Sequence, residues 1–169
     1  MNEIHTIKAN IKALAQELVK LCTEKNLKVS TAESCTGGMI SAAITSVSGS
    51  SAVIELGVCS YSNRIKTEIL GVSAEILDNY SEYSAECAEA MAEGARKLSG
   101  ADFSVSTTGI AGPSGGTSEH PVGEVFIGYF TKNSRGAKRF LFSGDREEIR
   151  AQAVCEALKM LILFVKSEI

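Results

Sequence analysis

The chain has 169 residues, 44% of them apolar, and a formal net charge of −3. That is interior enough for one compact domain over residues 1–169 without metal or disulfide staples, while mild acidity with no run of like charge leaves no footprint for nucleic acid or an anionic membrane. The five widely spaced cysteines, Cys22, Cys35, Cys59, Cys87 and Cys155, form no C-x-x-C pair, which argues against a disulfide framework or a zinc site and suits a reducing cytoplasm.

Ile4, Ile7, Ile11, Leu14, Leu18 and Leu21 alternate at spacings of three and four, the stripe of an amphipathic first helix. Residues 27–32 read as a strand, 37–47 as a helix of small residues able to approach a sheet closely, and 52–61 as a second strand rich in apolar and β-branched residues. A helical turn over 63–70 follows, then a short helix capped by Ser73 and running to residue 77, and a longer alanine-rich one capped by Ser84 and running to 98. Residues 101–107 form a third strand that feeds the loop 107–117, where one proline and four glycines forbid regular structure.

Strands over 123–131 and 137–143, joined by a turn at 132–136, predict an antiparallel hairpin. Asp145-Arg-Glu-Glu148 then opens the last helix as a capping box and carries it to about residue 166. Helices alternating with strands, plus one late hairpin, predict an α/β fold of three layers, α/β/α, around a mixed, mainly parallel sheet. The start Met-Asn-Glu-Ile-His is polar and the longest apolar run, residues 160–165, is far short of the roughly 20 residues that span a bilayer. A soluble, cytoplasmic protein without a targeting segment is expected.

Chemistry concentrates where the first strand ends. The run Thr31-Ala-Glu-Ser-Cys-Thr-Gly-Gly38 places small nucleophiles beside the N–H groups of a helix start, which stabilise negative charge. Ser34 is the first candidate nucleophile, with Cys35 and Thr36 as competitors, and the alternative is that Ser34 or Thr36 simply caps the helix. Only two histidines exist, His5 at the chain's beginning and His120 in a loop, so histidine catalysis and a multi-histidine metal site have little to work with; neither metal nor cofactor is expected. The remaining bases are lysine, carboxylate or tyrosinate.

If the first two strands are parallel neighbours, Tyr61 and Lys66 reach the same rim as Ser34. Lys66 would then be base in its amine form, promoted by burial and a nearby cation such as Arg64; the alternative is a solvated helix lysine. The loop 107–117 reaches that rim too. It fits neither the Walker nor the dinucleotide pattern, but its glycines permit close approach to an anionic ligand, and Thr107 and Thr108 could donate to substrate. Arg146 and Arg150 sit four apart on one helix face, suited to a phosphate or carboxylate or to mundane pairing with Asp145 and Glu147. Glu33 orients Lys66 or a ligand, or only satisfies a backbone N–H.

Seven ordered motifs over roughly residues 8–166 resemble the CinA C-terminal domain family: Thr31-Ala-Glu-Ser-Cys-Thr-Gly-Gly38, Tyr61-Ser-Asn-x-x-Lys66, Leu70-Gly-Val72, Ala90-Met-Ala-Glu-Gly94, Thr108-Gly-Ile-Ala-Gly-Pro113, Pro121-Val-Gly123 and Gly144-Asp-Arg146. The resemblance implies an amidohydrolase that converts nicotinamide mononucleotide to nicotinic acid mononucleotide and ammonia. It assigns the nucleophile to Ser34, supported by Lys66 and Tyr61, and substrate contacts to Thr108 and either Arg146 or Arg150; with Glu33, Cys35, Thr36, Gly37, Gly38 and Gly109 from the corner and the loop, these make up the expected substrate-binding set. It also implies a small-molecule nucleotide as partner, a dimer, and no role for nucleic acid.

The sequence departs from the family where Asn79-Tyr-Ser-Glu-Tyr-Ser84 stands in place of the more usual Tyr-Gly-Ala-Val-Ser. Ser81, Glu82 and Tyr83 are therefore expected to reshape a loop near the site or a subunit contact. The N-terminal domain of many relatives, which resembles a molybdopterin-binding fold, is absent from this sequence, so only the deamidase half is expected. A non-catalytic nucleotide-binding module and a competence-associated interaction protein are the rival readings.

Overall fold

The computed structural model describes residues 3–167. Met1 and Asn2, the first two residues of the polar start, lie outside the described residues, as do 168 and 169 at the end of the expected domain. Helix α1 (Glu3–Lys25) leads into β1 (Val29–Glu33), α2 (Met39–Thr45), β2 (Ile54–Cys59), α3 (Asn63–Leu70), α4 (Ala74–Tyr80), α5 (Ala85–Ser99), β3 (Phe103–Gly109), β4 (Glu124–Phe130), β5 (Arg135–Leu141) and α6 (Arg146–Ser167).

One five-stranded sheet has the order β2-β1-β3-β4-β5. β1 lies parallel to β2 and to β3, and the antiparallel pairs β3–β4 and β4–β5 follow, so every strand but β4 points the same way. One face buries Val29, Phe103, Val105 and Ile127 beneath α1, α2 and α6; the other buries Ala32 with Met91, Ala95 and Leu70 beneath α5 and α3. Each such buried Leu, Ile or Phe contributes roughly 1.5–3 kcal/mol over its exposed state.

Serines start the middle helices, Ser73 and Ser84 as expected and Ser62 in addition: they accept the N–H groups of Ile76, Cys87 and Ile65. Asp145 and Glu148 close the capping box reciprocally, Glu148 N–H donating to Asp145 Oδ1 and Asp145 N–H to Glu148 Oε2, each at 2.9 Å.

α5 lies unusually close to the sheet. Ser104 and Ser106 on β3 donate their hydroxyls to the carbonyls of Ala92 (2.6 Å) and Ala88 (2.5 Å). On β4, Gly128 faces the Ala88 carbonyl, and any Cβ there would collide with it.

Most element boundaries differ from expectation by a few residues, and two of the shifts have a visible local cause. β2 begins at Ile54 because Ser50–Ala52 form a 3₁₀ turn. β5 runs over Arg135–Leu141 rather than 137–143, because the Thr131 hydroxyl collects the N–H groups of Asn133 and Ser134 and tightens the hairpin turn. His5, at the chain's beginning, lies within α1.

Candidate active site

The corner after β1 is built by Glu33. Its carboxylate is fully buried, and its Oε2 accepts Thr36 Oγ1 (2.7 Å), Gly38 N–H (3.0 Å) and Ile40 N–H (3.0 Å), while Oε1 accepts Ser41 N–H and Ser41 Oγ, both at 2.8 Å. A carboxylate at a helix N-terminus takes up orphan donors and meets the positive end of the dipole. Capping of α2, the alternative role for Ser34 or Thr36, thus belongs to Glu33. Both of its oxygens are committed to this corner, which leaves no part of it for a ligand.

With Glu33 as cap, Ser34 is released. Its N–H donates to the Thr107 carbonyl (2.9 Å), anchoring it between β1 and β3, and the side chain stands at the cleft floor, 7% exposed. Gly37 and Gly38 take φ of +60° and +93°, which lets the chain double back into α2 immediately beyond the serine. Their N–H groups are occupied, Gly37's by the Ser34 carbonyl at 3.1 Å and Gly38's by Glu33. Of the backbone donors expected over 35–38, those of Gly37 and Gly38 are thus taken, which leaves the Cys35 and Thr36 N–H groups next to Ser34.

Lys66 reaches this floor from the first turn of α3. It is 1% exposed, and its Nζ lies 3.4 Å from Ser34 Oγ and 3.4 Å from Asn63 Oδ1. The solvated-lysine alternative is overturned by that burial. Asn63, three residues earlier on the same helix face, had no assigned role in the sequence reading; the i, i+3 spacing to Lys66 was the signal available. Arg64 is not the nearby cation expected, since its guanidinium faces solvent and pairs with Glu68.

The competing nucleophiles are withdrawn. Burial pushes the Cys35 thiol up to about 12, so it stays protonated. The Thr36 hydroxyl is fully buried between Glu33 and Thr107, 2.7 Å from each.

The two arginines divide. Arg150 donates from Nε to the Cys35 carbonyl (3.0 Å) and from Nη2 to the Thr36 carbonyl (2.8 Å), clamping the backbone just beyond Ser34. Arg146 lines the cleft, donating to the Gly112 carbonyl (2.7 Å) and to Tyr61 Oη (3.0 Å). Tyr61 also lines the cleft but is 62% exposed at its mouth, with Arg146 and not Lys66 as its hydrogen-bond partner. Thr108 is fully buried and donates its hydroxyl to the Glu82 carbonyl (2.5 Å), so it braces the segment after α4 and is not presented to substrate. Gly109 lies on the cleft wall.

The cleft holds about 100 Å³, room for a small planar group, and its wall includes Glu82 and Tyr83 of the divergent segment. A shallower hollow of about 560 Å³ continues past Ala111 and Arg146 toward Pro113, Val122 and the start of α6. His120 is elsewhere engaged, its Nδ1 2.6 Å from Glu124 Oε2, while Arg139 Nε holds Glu124 Oε1 at 2.6 Å. Among the described residues no three His, Cys, Asp or Glu side chains gather as a metal site would need, and no helix is long and apolar enough to cross a membrane.

This arrangement has known counterparts. The family model for the CinA C-terminal domain matches residues 11–165. A competence-damage inducible protein of Thermoanaerobacter sp. (strain X514) is 48% identical over 148 residues, which are 88% of this chain and 36% of that protein. A CinA-like protein of Thermotoga maritima is 43% identical over 162 residues, 96% of this chain and 40% of its own length. The chain thus spans little more than a third of these curated relatives. The crystal structure of competence/damage inducible protein CihA from Agrobacterium tumefaciens superposes with a TM-score of 0.90 at 41% identity, covering 94% of this chain and 96% of that one.

Proposed function

Because the chain belongs to the CinA C-terminal domain family, we propose that it hydrolyses the carboxamide of nicotinamide mononucleotide to the acid and ammonia, with Ser34 as nucleophile and Lys66 as base. The observation that carries this reading is the 3.4 Å approach of Lys66 Nζ to Ser34 Oγ on the floor of a cleft. A hydroxyl is a weak nucleophile until an adjacent base takes its proton.

Ser34 Oγ attacks the amide carbon while the Lys66 amine accepts the hydroxyl proton, and the oxyanion forms near the Cys35 and Thr36 N–H groups. The C–N bond then breaks as the Lys66 ammonium returns that proton to the leaving nitrogen, which departs as ammonia. Water adds to the Ser34 ester, giving its proton to Lys66, and Ser34 leaves with that proton restored. Asn63 holds the lysine nitrogen toward the serine through the cycle.

The dimensions of the cleft support a ring-sized amide at the floor with the rest of a nucleotide lying outward, past Arg146, along the larger hollow. Arg146 offers a phosphate its counter-charge there, beside the Asp145 and Glu147 carboxylates on the same lining. In this reading the partner is a small-molecule nucleotide, no cofactor takes part, and the enzyme works as a dimer in the reducing cytoplasm that suits its five free cysteines.

The relatives' names speak of competence and damage induction, which favours a second reading as a non-catalytic interaction module. Ammonia release separates the two. Wild-type protein is expected to release ammonia from the mononucleotide and Ser34→Ala to release none above background. Equal rates above background would remove Ser34 as nucleophile, and no release by the wild type would end the hydrolase reading.

A further inference from the structure

The segment after α4 is a built wall of the cleft. Ser81 holds φ +71°, a conformation native to glycine. Its hydroxyl accepts the Tyr83 N–H (3.1 Å), its carbonyl accepts the Ser84 hydroxyl (2.9 Å), and Ser84 in turn caps α5. From the sheet, the Thr108 hydroxyl fixes the Glu82 carbonyl. Held from both sides, the segment turns Glu82 and Tyr83 toward Ser34 and Lys66 as part of one lining.

The Glu82 carboxylate meets the Tyr83 hydroxyl. Burial first, and this carboxylate second, raise the Tyr83 phenol above its ordinary range, so it remains a neutral donor. The other charged side chains on the lining, Lys66 and Arg146, are cationic types. A cleft of about 100 Å³ leaves a six-membered ring no place far from Glu82 once its carboxamide is at Ser34.

We propose that Glu82 is a specificity-determining residue, whose carboxylate selects amides carried on a positively charged ring, with Tyr83 holding that carboxylate in place. This rests on the amidase reading above. A fixed anion in a confined, partly desolvated site lowers the energy of a cationic ligand and does nothing for a neutral one of the same shape, so it discriminates by charge alone.

The test compares nicotinamide mononucleotide with its reduced form, equal in size but uncharged in the ring. In wild-type protein the ratio of kcat/KM, charged over neutral, is measured against the same ratio in Glu82→Gln and Tyr83→Val. The ratio is expected to fall about tenfold or more in Glu82→Gln and by a smaller factor in Tyr83→Val. A binding arm repeats the comparison by calorimetry in Ser34→Ala and in Ser34→Ala/Glu82→Gln. Ammonia release with an unchanged ratio in Glu82→Gln overturns the role of Glu82 and leaves the amidase reading standing. No ammonia release, with a Kd ratio that still depends on Glu82, sinks hydrolysis and supports selection by Glu82. Kd ratios equal in both backgrounds overturn the proposal.

Discussion

Lys66 Nζ and Ser34 Oγ stand 3.4 Å apart although 32 residues separate them, because β1 and β2 are parallel neighbours whose following segments start at the same sheet rim. Removing either group should reduce turnover by about 10³-fold or more, since nucleophile and base act as a unit. Lys66→Met keeps the buried stem and should leave the melting temperature within a few degrees while activity disappears. An active Lys66→Met protein would assign the base elsewhere.

Glu33 is expected to matter for folding before chemistry. Glu33→Gln replaces a buried anion that accepts from α2, Thr36 and Ser41 with a group that can accept through only one oxygen. Loss of charge-assisted bonds at this corner should cost about 1.5–3 kcal/mol. Urea unfolding measures it, and a change below about 0.5 kcal/mol would mean that water or relaxed geometry replaces the cap.

Arg146 and Arg150 should fail differently. Arg146→Ala removes a cation from the cleft mouth and is expected to raise KM about tenfold or more with a smaller effect on kcat. Arg150→Ala releases the carbonyls of Cys35 and Thr36 and is expected to lower kcat and the unfolding midpoint together. Steady-state kinetics with thermal melts on both variants resolve the split; the reverse pattern would exchange their roles.

Alkaline pH should destabilise the fold through its thiols. Burial raises Cys22 and Cys35 to about 12 and Cys87 to about 11, against an ordinary 9.0. Between the unfolded and folded values the native state holds more protons, so stability present below pH 9 is lost as pH rises toward 11 and 12. Melting temperatures should fall across that window, and Cys35→Ala should flatten the fall. A slope identical to wild type would remove Cys35 from the account.

Much of this was legible in the sequence where the cause is local. Ser73, Ser84 and the Asp145–Glu148 pair sit one turn from the N–H groups they cap, so spacing alone reveals them, and the places of the strands follow from which segments are apolar and β-branched. The cap on α2 was not legible, because Glu33 lies at a strand end and reaches across two glycines to Ile40 and Ser41, a path that no capping pattern encodes. The two arginines are one helical turn apart, so only the docking of α6 decides which faces Gly112 and which faces Cys35. Tyr61 and Thr108 share the motifs of the site, yet their partners, Arg146 and the Glu82 carbonyl, come from distant segments.

The hydroxyl contacts between β3 and α5 also have a metric. Two residues of strand advance about 6.6 Å and four residues of helix about 6 Å, so Ser104 over Ala92 and Ser106 over Ala88 form matched teeth of a rack, with numbering that rises on one element and falls on the other. Such a rack slips only by a whole helical turn, about 5.4 Å. Beyond the rack, the next hydroxyl on that strand face, Thr108, holds the Glu82 carbonyl ahead of α5. The wall's backbone is therefore pinned to the same strand that sets the rack, and accommodation of larger substrates falls to the side chains of Tyr61, Tyr83 and Arg146.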